Sequence, residues 1–110
     1  MSIAEAEAMV KHLVNETERV NKEFKEFINS SNFKHYKENP QTLSSEGKEK
    51  AKQQFANFVE ILRDKIKGLD VVAIGTPNDT FDSKLIAHAR ALRKECQEII
   101  DELEALRRRL

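Results

Sequence analysis

The sequence predicts an all-α fold, an antiparallel three-helix bundle with long helices, and three observations predict it. Only three glycines and two prolines interrupt the chain. The helix-favouring residues Glu, Lys, Ala, Leu, Gln and Arg fill much of the remainder. Apolar side chains recur in steps of three and four through three long stretches, the period of a helix with one buried face.

The first stretch opens at Ser2, which with Glu5 three residues on forms a capping box. Ile3, Ala6, Met9, Val10, Leu13, Val14, Thr17, Val20, Phe24, Phe27 and Ile28 follow at helical spacing, so a helix is expected from about residue 3 to the low thirties. Ser30, Ser31 and Asn32, then Asn39-Pro40, are the first loop signals, because proline biases its predecessor away from helix.

Thr42, Ser44 or Ser45 can cap the second helix, whose later apolar residues are Phe55, Phe58, Val59, Leu62, Ile66 and Leu69. At about 100° per residue these fall within an arc of about 100°, a buried stripe. Gly68 weakens the end of this helix, and residues 75–79, Gly-Thr-Pro-Asn-Asp, form a turn cluster. Val71, Val72 and Ile74 lie between these breakers; a lone strand would have no partner, so they are read as a helix end closing over the core.

Asp79 or Thr80 is expected to cap the third helix, with Asp79 and Asp82 placing negative charge at its positive end. Leu85, Ala89, Leu92, Cys96, Ile99, Leu103, Leu106 and Leu110 then run as one continuous stripe of about 45 Å. Leu62 and Leu92 sit at the centres of their arcs and are expected to face each other. Arg107, Arg108 and Arg109 suit the negative end of this helix, a capping role that competes with any binding of anions.

A chain of 110 residues holds one core and one domain, residues 1–110. The last residues, Leu-Arg-Arg-Arg-Leu, stop inside an unfinished helical pattern, which suggests a fragment of a longer protein. Nineteen basic and nineteen acidic side chains are interleaved to a formal charge of zero, so no net field gathers nucleic acid, and specificity must come from local pattern. A single cysteine excludes an internal disulfide, and the start lacks the basic and apolar runs of a signal peptide. No apolar run approaches membrane-spanning length. A reducing compartment, cytoplasmic or nuclear, is the default.

Catalytic candidates are few. Cys96 lies on the apolar stripe between Leu92 and Ile99, where a thiol is a small core residue and not an activated nucleophile. His12, His35 and His88 fall on different parts of the chain with none of the paired spacings that bind zinc. No phosphate-binding glycine loop or nucleophile elbow occurs. Neither an enzyme nor a cofactor is expected.

Once the apolar residues are assigned to a core, Glu60, Arg63, Lys67 and Asp70 remain as one polar stripe, and Arg90, Arg93, Lys94 and Gln97 as another. Most charged helix faces are simply solvated, with weak pairing along the helix. The residues themselves add more. From Glu60 to Asp70 the chain reads EILRDKIKGLD, and after a loop FDSKLIAHARALRKECQEIIDEL. This resembles the BAG domain, the three-helix module of the BAG family of co-chaperones.

In that family two acids ten residues apart, and an arginine and a glutamine on the next helix, contact the ATPase domain of the seventy-kilodalton heat-shock chaperone. The resemblance places the acids on Glu60 and Asp70 and the glutamine on Gln97. The family's arginine position, eight residues before the glutamine, is Ala89 here, with Arg90 beside it and Arg93 one turn on; either could take its place. Residue-level likeness covers about residues 45–110. The function it implies is nucleotide exchange, the promotion of ADP release. The rival is a structural assembly domain, a homodimer in which the stripes of the first and third helices pair between copies.

Overall fold

A computed structural model describes residues 2–71 and 81–110. Among these residues the chain is helical, with no strand. Four helices follow in order: α1 (Ile3–Ile28), α2 (Ser31–Glu38), α3 (Ser45–Leu69) and α4 (Ser83–Arg109), with a short 3-10 turn at Pro40–Thr42 before α3.

Each start carries its own cap. Ser2 Oγ accepts the Glu5 amide at 3.1 Å, and Ser44 Oγ accepts that of Gly47 at 3.0 Å. The expectation that the first helix runs to the low thirties fails by one oxygen atom. Ser30 Oγ donates to the Phe27 carbonyl at 2.7 Å and accepts the Phe33 amide at 3.2 Å, so it closes α1 and opens α2. The additional helix, α2, occupies a stretch where the sequence offered only loop signals, from Ser30 to Pro40.

The cap of α4 is Asp82, whose carboxylate accepts the Lys84 amide at 2.7 Å. Asp79 and Thr80, the expected caps, lie outside the described residues, as do Val72 and Ile74. Val71 does not close over the core: it is 68% exposed. Two residues after the fully buried Leu69, it is turned about 200° away from it. Phe81 takes the covering role instead, packing with Ile86 in one cluster across the cap, a hydrophobic staple.

Packing pairs give the arrangement of the long helices. Along α1 and α4, Glu18 meets His88, Asn21 meets Leu92 and Lys25 meets Glu95. Along α1 and α3, Glu16 meets Lys65, Phe24 meets Phe58 and Phe27 meets Phe55. Leu69 near the end of α3 shares a core cluster with Leu92, while Phe55 shares the other with Leu103 and Leu106.

The core has two parts. One joins Val10, Val14, Leu69, Phe81, Ile86, Ala89 and Leu92. The other joins Phe33, Phe55, Val59, Leu62, Cys96, Ile99, Ile100, Leu103 and Leu106, with Phe24, Phe27 and Phe58 against it. Leu62 and Leu92 are both buried but lie in different parts, so they do not face each other as their arc positions suggested. Two fully buried polar residues on α1, Thr17 and Asn21, stand between the parts. The stripes that pairing between copies would need are spent inside the single chain, since Val10 and Val14 of α1 and Leu92 to Leu106 of α4 are core residues.

Candidate functional site

The outer side of α3 and α4 carries the two polar stripes singled out from the sequence. Helical rotation of about 100° per residue places Glu60, Arg63, Lys67 and Asp70 within an arc of about 80° on α3, and Arg90, Arg93, Lys94 and Gln97 within about 100° on α4. Arg93 Nε donates to Asp70 Oδ1 at 2.6 Å, which sets the two arcs side by side. Glu60, Arg90 and Gln97 are exposed; Asp70 and Arg93 are half-buried.

The Asp70–Arg93 pair answers a local problem. Asp70 is the C-cap residue of α3, where an acid meets the negative end of the helix dipole. The Arg93 guanidinium, reaching over from α4, supplies the missing positive charge. In return the carboxylate hydrogen bond and charge push the Arg93 pKa still higher. Both side chains are 41% exposed, so solvent and salt screen the pair strongly.

Of the five candidate contact residues, then, the structure joins two. Gln97 is occupied on its own helix, donating to Asp101 Oδ1 at 3.0 Å. Glu60 lies about 15 Å along α3 from Asp70, ten residues at 1.5 Å each. It makes no ion pair with any described residue. Arg90 lies one turn from Arg93, beyond the end of α3, and is likewise in no ion pair among the described residues. With Arg93 held by Asp70, Arg90 is the guanidinium left to reach outward.

Other chemical candidates resolve into structural roles. Cys96 is fully buried and donates its thiol to Asn21 Oδ1 at 3.2 Å. Burial pushes its pKa up, the reverse of what a thiolate nucleophile needs. The three histidines lie on the exposed surfaces of α1, α2 and α4. Among the described residues no group of three or more His, Cys, Asp or Glu could hold a metal ion. No helix there is long and apolar enough to cross a membrane. Two of the terminal arginines serve as caps: Arg108 Nε donates to the Glu104 carbonyl at 3.2 Å, and Arg109 donates to the Lys37 carbonyl near the end of α2, while Arg107 pairs with the Glu104 carboxylate at 3.2 Å.

Asn21 had no place in the sequence reading, although it stands four residues after Thr17 on the same stripe. Asp101, the partner of Gln97, was also missed; its signal is the Gln-to-Asp spacing of four on a helix. Compared with known proteins, the chain matches no family model, no curated protein and no solved structure.

Proposed function

We propose that the chain is a co-chaperone module: the outer side of α3 and α4 docks on the ATPase domain of the seventy-kilodalton heat-shock chaperone and promotes ADP release. The architecture in this proposal is an antiparallel three-helix bundle of α1, α3 and α4, with α2 as a short elbow. Supporting it, contact pairs ascend together along α1 and α4, whereas α3 is traversed in the opposite sense.

The observation that carries the docking role is the Asp70–Arg93 ion pair. It ties the end of α3 to α4, so that Glu60, Gln97 and Arg90 stand on one two-helix surface. The resemblance to BAG domains names the same face. A helical pair that fits only the open form of a cleft shifts the partner's population towards opening. By linkage, tighter binding to the open form weakens nucleotide binding by the same factor. The chain itself needs no cofactor for this.

The test is release of fluorescent ADP from the isolated chaperone ATPase domain, with and without the chain. Accelerated release supports the proposal. Release at the unassisted rate, with the chain folded and in excess, rejects it.

A further inference from the structure

The two halves of the α3–α4 face differ in charge. Arg63 and Lys67 on α3, with Arg90 and Lys94 on α4, are all exposed, and none forms an ion pair with any described residue. The Asp70–Arg93 pair sits among them and is neutral as a unit. Measured along the helices from that pair, Arg90 lies about 4.5 Å to one side and Arg63 about 10 Å to the other, so four cations without an ion-pair partner among the described residues share a strip about 15 Å long. Beyond Arg63 the sign changes. Glu60 and Asp101 fall about 12–15 Å from the pair, on the same side of their helices, while Glu104 is neutralised by Arg107 at 3.2 Å.

We infer that this face recognises a bipolar protein surface: a cluster of carboxylates set against Arg63, Lys67, Arg90 and Lys94, and a basic group set against Glu60. The inference rests on the proposal that this face docks a protein, and it names the charge pattern of the partner. A chain of zero net charge gathers no polyanion at long range, so recognition is local. A nucleic-acid backbone is a continuous row of phosphates and would run from the basic half straight onto Glu60 and Asp101. A folded protein surface can change sign over the same distance. Complementary charges of this kind fix orientation and speed encounter more than they deepen affinity.

The probes are two synthetic peptides of identical composition, one with glutamates at one end and lysines at the other, one with the charges interleaved, together with a short thymidine oligonucleotide. Binding is read by fluorescence anisotropy at low ionic strength. The segregated peptide binds the parent chain about tenfold more tightly than the interleaved one, and the difference shrinks as salt rises. Arg63→Glu with Lys94→Glu removes the preference, whereas Lys22→Glu with Lys34→Glu, exposed lysines off this face, retains it.

Equal binding of the two peptides by the parent, or equal loss in the off-face variant, overturns the inference. So does an oligonucleotide that binds more tightly than the segregated peptide and is released by Arg63→Glu with Lys94→Glu. Peptide preference without chaperone exchange would reject the proposed partner and uphold the charge pattern; exchange without peptide preference would do the opposite.

Discussion

Cys96 and Asn21 complete each other's hydrogen bonding in the middle of the molecule. The thiol donates to the Asn21 amide oxygen, and the Asn21 amide nitrogen donates to the Leu92 carbonyl at 3.3 Å. One side chain of α1 thus grips a full turn of α4, and no buried side-chain nitrogen or oxygen among the described residues is left without a partner.

Removing the thiol leaves that amide oxygen buried and unpaired. Cys96→Ala is expected to cost about 1–3 kcal/mol, the range for an orphaned polar group with a small void. Cys96→Ser, which keeps a donor, is expected to cost less, and neither change alters partner binding. Thermal melts of the two variants decide it: a serine variant no more stable than the alanine one removes the hydrogen bond from the account.

Leu62→Ala and Leu92→Ala are each expected to cost about 2–5 kcal/mol, as both side chains are core residues. Because they belong to different parts of the core, the double variant should show the sum of the single losses to within about 0.5 kcal/mol. Denaturant titrations would reveal a coupling larger than that, and such a coupling would mean that the polar layer does not separate the two sites.

Glu16 gives the molecule an acid-sensitive contact. The Lys65 ammonium, 2.7 Å away, holds its carboxyl below the ordinary value of 4.5. A depressed folded pKa contributes stability that is present above the unfolded value and lost as pH falls through the lower folded one. Melting temperatures of Glu16→Gln against the parent should therefore differ at neutral pH and converge below about pH 4.5. A constant gap across that range would assign the effect to packing.

On the docking face, function and fold should separate. Glu60→Ala and Gln97→Ala are expected to shift stability by about 0.5 kcal/mol or less, since both residues are exposed. If the chaperone is the partner, each change should cost about 2–5 kcal/mol in affinity by stranding the opposing group. Adding Arg90→Ala should reduce exchange further than adding Arg93→Ala, whose guanidinium is already engaged by Asp70. Wild-type exchange by Glu60→Ala and Gln97→Ala would reject the site.

Much of this was legible from periodicity. The stripes of Val10, Val14, Leu62, Leu69, Ala89 and Leu103 are buried as their spacing implies, and Ser2 and Ser44 cap where caps were expected. The failures were cases where one atom overrode the pattern. Ser30 ends a helix whose apolar period continues into Phe33, and nothing in a hydrophobic repeat reports a hydroxyl that bonds in both directions. Asn21 has no place in an apolar repeat, yet it is fully buried and its amide is satisfied across the core. The Asp70–Arg93 pair was hidden for a different reason: its members are 23 residues apart, and only the register of α3 against α4 brings them together.

The polar layer at Thr17 and Asn21 also sets the two ends of the molecule apart in rigidity. Below it, Phe24, Phe27, Phe33, Phe55 and Phe58 form one aromatic knot, with ring centroids 4.8–6.0 Å apart. Above it, near Asp70 and Arg93, the cluster is mostly aliphatic and holds one phenylalanine, Phe81. Opening of the upper end need not disturb the knot, since the buried apolar side chains of the two ends fall in separate clusters bridged by the Asn21 hydrogen bonds. Amide protons near Leu69 and Ile86 would then exchange by local breathing while those near Phe55 and Leu103 wait for global unfolding. The basic end of the surface, around Asp70, Arg90 and Arg93, would be borne by the half of the molecule that yields first, and its acidic end at Glu60 by the half that holds.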